Sequence, residues 1–406
     1  MIDPFIGEFL ISPVPLELSF NYCSHKCAYC FANLNVPDRR VDIKAVLRTI
    51  QDFQSRKTLT AKLMQQGYPI CISNKVDPLA VSNDHQALPV ISMLEDLQIP
   101  VQIQTKGGRK EDELIRIMQR PAVWYVSISF MDDALRKKIE PGAPTIQSRI
   151  ELIQKLTEAG HKVILGLNPL VSEWLPDPED LISACYRAGC RYAWIEHLHF
   201  HDNQIENLTQ RERGVIGEST IEEAKRKTVT EENRRQLNKA HAICWRYGIE
   251  TFSGHLHHRS EFHRPYRECY GNTFPTMQDF INACWDILGD EEAVVSYEQF
   301  EGEILPRLPD IDGTLCHYLR AGNYGVVEKY TIPNQLNYQG VLRRGWMWPE
   351  LKFAPSRWRC FAMAMEQGVD EWNPLVDDTG MPWHVWCPGG TEERYLDATE
   401  LLNVEN

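Results

Sequence analysis

The segment Leu16-Glu-Leu-Ser-Phe-Asn-Tyr-Cys23-Ser-His-Lys-Cys27-Ala-Tyr-Cys30-Phe31 joins a short β-rich run, Leu16–Phe20, to a loop that packs three cysteines into eight residues. Reading outward from it, further β-rich runs fall at Pro69–Ser73, Val101–Gln104, Val123–Phe130, Lys162–Leu167 and Tyr192–Leu198. Helical patterns lie between them, at Val41–Gln66, Asn83–Leu97, Lys110–Met118, Thr145–Ala159 and Asp177–Ala188. Strands alternating with helices are the signature of βαβ units and a parallel sheet. Gly67, Pro100 and Gly160 supply helix stops and strand starts at the right places. Right-handed crossovers curl six such strands into a partial (β/α)6 TIM-type barrel whose active site lies at the strands' carboxyl ends. The expectation is therefore an α/β core over residues 1–205. Residues 206–406 form a C-terminal extension that completes the core and shapes the substrate site. Within it, Thr220–Tyr247 reads as a polar helix and G-I-E-T-F-S-G as a candidate strand, and the rest has no fold legible in its pattern.

The chain has 406 residues, 43% hydrophobic and 24% charged, an ordinary globular composition. Its start, MIDPFIGEFL, lacks the basic and apolar regions of a signal peptide, and no 18-residue apolar run is present. A cytoplasmic protein with no membrane partner is expected. In a reducing compartment its 12 cysteines serve metals or catalysis rather than disulfides. Only Cys23, Cys27 and Cys30 have ligand spacing. Cys269, Cys284, Cys316, Cys360 and Cys387 never fall two to four apart, which argues against a second cluster. The net charge of −13 gives no general attraction to nucleic acid. Locally, Gln204–Arg267 carries 12 Lys/Arg against 9 Asp/Glu. Arg343, Arg344, Trp346, Trp348, Arg357, Trp358 and Arg359 interleave cations with aromatic faces. Single-strand nucleic-acid sites do the same, and so does ordinary Trp packing near prolines.

Iron–sulfur clusters usually take four cysteines, so a triplet leaves one iron open to substrate or cofactor. The alternative is a zinc site closed by His25 or a distant cysteine. The spacing C-x3-C-x2-C, with an aromatic before the last cysteine, resembles that of radical S-adenosylmethionine (SAM) enzymes. A closer likeness over about residues 15–200 is to the spore photoproduct lyase-like, or "DNA repair photolyase", branch. The matching segments are C-S-H-K-C-A-Y-C-F, I-S-N-K-V-D-P-L, Q-T-K-G, V-S-I-S-F, I-E-P-G-A-P-T-I-Q-S-R-I-E-L-I-Q-K-L-T-E-A-G and G-L-N-P-L. That resemblance implies a [4Fe–4S] cluster on Cys23, Cys27 and Cys30, with SAM bound to the open iron and cleaved reductively to a 5′-deoxyadenosyl radical. It also implies a reductant such as flavodoxin or ferredoxin. The lyases end soon after their core, whereas this chain continues for some 200 residues, so the substrate stays open. A nucleobase or nucleotide, in DNA or RNA or free, is the leading reading. A peptide or small metabolite is the second, and a non-enzymatic iron–sulfur or zinc protein the third.

Other candidate residues converge on the strands' carboxyl ends. Ser73 and Asp77 end the second strand, Lys106 the third, Ser127 and Ser129 lie on the fourth, and Asn168 ends the fifth. Lys106 is a suitable cation for SAM's carboxylate, with Ser73 and Ser127 as short hydrogen-bonding groups. Asn168 suits the ribose or the substrate. By resemblance to the lyases, Cys71 in P-I-C-I-S is the catalytic hydrogen donor; the other reading is a core thiol. Tyr29 and Phe31 shield the cluster or flank the adenine. His197, His199 and His201 share one strand face, and His255, His257 and His258 fall in G-H-L-H-H. Both sets read as substrate contacts or solvated loop rather than a metal site.

Overall fold

A computed structural model describes residues 16–20, 22–30, 42–56, 61, 64–73, 76–200, 202–225, 230–252, 264–271, 277–291, 293–307, 361–363, 376–381 and 383–386. The stretch Arg343–Arg359, His201, the G-H-L-H-H histidines, Phe31 and Cys316, Cys360 and Cys387 lie outside them. Two compact units form. One holds residues 17–55 and 69–253, the other chiefly 254–395.

The first unit is built on a seven-stranded sheet in sequence order: β1 (Leu16–Leu18), β2 (Ile70–Ile72), β3 (Val101–Thr105), β4 (Val123–Ser127), β5 (Lys162–Leu170), β6 (Tyr192–His197) and β7 (Glu250–Phe252). Pairs from β2 to β7 are parallel. The α/β expectation holds: the candidate strand read in G-I-E-T-F-S-G joins the six core strands as β7. Register partners in a parallel sheet project to the same face. One face carries Ile72, Ile103, Trp124, Val163, Leu165, Ala193 and Ile195. This apolar face is the one crossover helices must cover. Helix Ile146–Glu158 packs on β4 and β5, and Glu231–Arg246 on β6 and β7. The opposite face is far more polar: Cys71, Gln102, Gln104, Tyr125, Ser127, Gly166 and Trp194.

The helix Ile146–Glu158 shows how local signals set the frame. Thr145 caps it by accepting from the Ser148 N–H at 3.2 Å, and Gly160, at φ +86°, ends it. Its buried Leu152, Ile153 and Leu156 face the sheet, and Arg149 is buried with them. Two departures matter. The first helical pattern, read over Val41–Gln66, is a helix over Ile43–Gln51 with a 3-10 turn at Phe53–Ser55. The strand read to Phe130 ends at Ser127, and a further helix, Asp133–Ile139, follows. Asp132 caps that helix by accepting from the Ala134 N–H at 2.8 Å.

At the opposite end of the sheet, His161 is buried with its Nδ1 accepting from the Ala122 N–H at 3.2 Å. Its Nε2 therefore carries the proton. Burial holds the imidazole below its ordinary value of 6.5, against a smaller opposing effect of Glu95. The unfolded chain thus takes up a proton here at a higher pH than the folded one. Stability should be intact above pH 6.5 and fall as pH drops below it, by at most about 1.4 kcal/mol per pH unit from this one group. The His161→Leu variant should be less stable throughout, because Ala122 loses its acceptor, but with a flatter profile. Urea unfolding at successive pH values checks this.

In the second unit, β8 (Ala293–Val295), β10 (His384–Trp386) and β9 (Phe361–Met363) form an antiparallel sheet in that order. Trp386 is fully buried there, edge-on to Trp285 at 5.4 Å, and its Nε1 donates to the Gly289 carbonyl at 3.0 Å.

Candidate cluster site

The three cysteines lie on the loop that leaves β1, with Cys23 and Cys27 buried and Cys30 half-buried. The loop is fastened on two sides. Toward the segment after β2, Ser24 and Ser82 exchange bonds, each backbone N–H donating to the other's hydroxyl at 3.1 and 3.2 Å. Toward the turn after Asp133–Ile139, the Ala28 N–H donates to the Ile139 carbonyl at 2.8 Å, and the Gly142 N–H to the His25 carbonyl at 2.9 Å.

His25 ties both sides together. It is 2% exposed, with Nε2 3.0 Å from Asp77 Oδ2 and Nδ1 3.1 Å from the Gly142 carbonyl. Asp77 also accepts from Leu79 N (2.9 Å), Thr105 Oγ1 (2.7 Å) and Lys106 N (2.6 Å). Burial alone would raise its pKa, but the His25 ring and these donors hold it below the usual carboxylate range.

A second hub lies under Tyr29. Glu140, fully buried, accepts from the Tyr29 hydroxyl and the Lys106 ammonium (3.0 Å) on Oε1 and from Arg149 Nη2 (2.5 Å) on Oε2. Arg149 also donates to the Ser127 and Pro144 carbonyls at 2.9 and 3.1 Å. Lys106 reaches three acceptors: Glu140, Tyr29 Oη at 3.1 Å and Ser127 Oγ at 2.7 Å. Burial opposes ionisation of Glu140, but the two cations outweigh it and bring its pKa down to about 2. The Tyr29 phenol is pushed up by burial and by Glu140, and its ring leans on Trp174 at 5.5 Å.

The structure thus brings Lys106 and Ser127 together and sets both under the cysteine loop. Asp77 faces His25, Thr105 and the Lys106 N–H. Ser73 follows β2 with its Oγ 2.8 Å from Ser19 Oγ. Ser129 is 1% exposed, and its hydroxyl has no partner among the described residues. Asn168 is half-buried on β5. Cys71 is buried mid-strand, in register with Gln102. His197 ends β6, with its ring 6.2 Å from that of His199. Sequence reasoning gave no role to Glu140 or Arg149, and it took Asp77 as a cofactor-site residue and His25 as a loop residue or zinc ligand without pairing them. The signals were the Asp132 cap and the Pro141-Gly142 stop, which bracket Glu140.

The donor set suits iron: soft thiols on one short loop, close enough to influence one another's ionisation. Burial, then Asp77, pushes the Cys23 thiol up to about 12, so metal binding must displace its proton. Among the described residues no three His, Cys, Asp or Glu side chains converge on a single-ion position. Cysteines that each hold a different iron need no such convergence.

Residues 18–182 match the model of the Radical SAM superfamily. An uncharacterized protein of Mycobacterium bovis and one of Mycobacterium tuberculosis are each 26% identical over 193 residues, 44% of this chain. The match spans 56% of those relatives' length, so the chain covers little more than half of the curated proteins it resembles. Among solved structures, a spore photoproduct lyase mutant with bound AdoMet and dinucleoside spore photoproduct aligns at 13% identity and TM-score 0.46, covering 59% of this chain and 76% of its own. Streptococcus suis SuiB bound to precursor peptide SuiA aligns at 17% identity and TM-score 0.39, covering 64% of this chain and 52% of its own.

Proposed function

With residues 18–182 constituting a radical SAM domain, we propose that this chain uses a [4Fe–4S] cluster on Cys23, Cys27 and Cys30 to cleave SAM and abstract hydrogen from a nucleobase or nucleotide. When bound, the cluster and SAM supply one-electron cleavage of a carbon–sulfur bond and the 5′-deoxyadenosyl radical. The observation that carries the reading is the fastening of the cysteine loop. His25, Ser24 and Ala28 hold it on two sides, so the thiols are presented without a further ordering cost.

The remaining residues then take definite parts. Ser73, Ser127, Ser129 and Asn168 offer SAM hydroxyls and an amide, and Lys106 offers a positive field for its carboxylate while staying anchored to Glu140. Asp77 acts through His25 and the Lys106 N–H, keeping loop and strand in register. Cys71 would return a hydrogen atom from its thiol to a substrate carbon radical, and the thiyl radical left on Cys71 would be restored by one electron and one proton from the external reductant. A flavodoxin or ferredoxin supplies the electron. No helix among the described residues is long and apolar enough to cross a membrane, and we place the chain in the cytoplasm. The net charge of −13 favours the second reading, a peptide or small metabolite. Salt-dependent binding to single-stranded oligonucleotides would discriminate against it.

The test is anaerobic reconstitution with iron and sulfide, followed by dithionite and SAM. Wild type is expected to form 5′-deoxyadenosine and Cys27→Ala none. A loaded wild-type cluster that binds SAM and yields no 5′-deoxyadenosine, with or without oligonucleotide, counts against the reading.

A further inference from the structure

The sheet face beneath the cysteine loop carries a buried polar group that no network above uses. Gln104 is 5% exposed, and its Nε2 has no hydrogen-bond partner among the described residues. It lies on β3, two residues before Lys106, which follows the strand's last residue. The two therefore share a face and stand about 7 Å apart along the strand. Gln104 is in register with Tyr125, whose ring lies on Gly166 so closely that a Cβ there would come within 2.2 Å of it. On the same face and deeper, Cys71 pairs with Gln102. Gln104 thus stands between the level of Lys106 and Ser127, under the loop, and the level of the Cys71 thiol.

A buried donor left unmade costs stability, so a chain that keeps one needs a return for it. We propose that Gln104 is the substrate-positioning group of this site, its carboxamide donating to a neutral carbonyl oxygen of the substrate, of the amide or lactam kind. This rests on the radical SAM reading above. A neutral acceptor is the fitting partner because Lys106, the cation on that face, is paired with Glu140 and, in the reading above, its remaining field is taken by SAM's carboxylate. An anionic group placed there would be desolvated without a counter-charge. The carbonyl would be held between the cofactor level and the thiol, the position a carbon must occupy to lose hydrogen on one side and regain it on the other.

The test uses the full chain and the variant Gln104→Met, which keeps the side-chain length and removes the donor. In urea unfolding of the ligand-free chain, the variant's folding constant should equal the wild-type value or exceed it by up to tenfold. A tenfold fall would show that the carboxamide is already satisfied internally, by a buried water, and would overturn the proposal. The second arm follows 5′-deoxyadenosine formation with SAM and dithionite, in the presence of uridine 5′-monophosphate or N-acetylglycine methylamide. The probe that accelerates wild type identifies a lactam or a peptide amide, and Gln104→Met should lose at least tenfold of that acceleration. Equal acceleration in the variant overturns the assignment, as does a tenfold loss of SAM affinity in equilibrium dialysis, which would put the carboxamide on the cofactor. Wild type that forms no 5′-deoxyadenosine fails the radical SAM reading, while the unfolding arm still decides the part played by Gln104.

Discussion

Replacing Glu140 by leucine is expected to destabilise the first unit by about 3–5 kcal/mol, because it leaves buried cations without their counter-charge. Glu140 has no exposed surface, and it is the shared anion of Lys106 and Arg149, whose side chains are 14% and 0% exposed. Removing it strands both and releases the Tyr29 hydroxyl, two positions along the loop from Cys27. Glu140→Gln preserves shape and most hydrogen bonds but removes the charge, so it should fall between wild type and leucine. If the loss comes from stranded charge, the double variant Glu140→Leu with Arg149→Leu should recover part of it. Additive losses would show that shape, not charge pairing, is what Glu140 provides. The pH dependence follows from the same group. Its folded pKa lies near 2, below the ordinary 4.5, so its contribution is complete above pH 4.5 and drains away as pH falls toward 2. That contribution amounts to about 3 kcal/mol. Acid unfolding of Glu140→Gln should lack this component.

The hub explains why the fold was more legible than the site. Long alternation of strands and helices survives small errors, and stops such as Gly67 and Gly160 pin its phase. The cysteine triplet is local in sequence and announces itself. The partners of Tyr29 are not local. Glu140 lies 111 residues away, and Lys106 arrives from the end of β3. A single sequence carries no sign that four such groups meet. The helix Asp133–Ile139 spans seven residues, too short for a periodicity to stand out from composition. Lys106 and Ser127 were legible together from their places on neighbouring strands and from the matching segments Q-T-K-G and V-S-I-S-F. Gln104 was quoted within the matching segment Q-T-K-G but given no part, since only burial and the lack of a partner mark it out.

Gly142→Ala should separate loop presentation from folding. A Cβ at this position would stand 2.2 Å from the Ser24 carbonyl oxygen and 2.9 Å from His25 Cα, both backbone atoms of the cysteine loop. No rotamer relieves such a clash, so loop and turn must part, at a cost of about 1–3 kcal/mol. Parting them breaks the Gly142 N–H bond to the His25 carbonyl and lengthens the 3.1 Å contact from His25 Nδ1 to the Gly142 carbonyl. The cysteines then lose one of the two fastenings that hold them in place. We expect the reconstituted variant to hold less than about a tenth of the wild-type iron and sulfide, since misplacing ligands costs metal affinity in factors of ~10–100. Gly214→Ala is the control. It lies in the helix Gln210–Ile216 with nothing within 4 Å of its added Cβ. Alanine there should stabilise by about 0.5–1 kcal/mol and leave iron content unchanged. Full iron loading in Gly142→Ala would mean that the Ser24–Ser82 side alone presents the thiols, and that the turn after Glu140 is joined to the loop without controlling it.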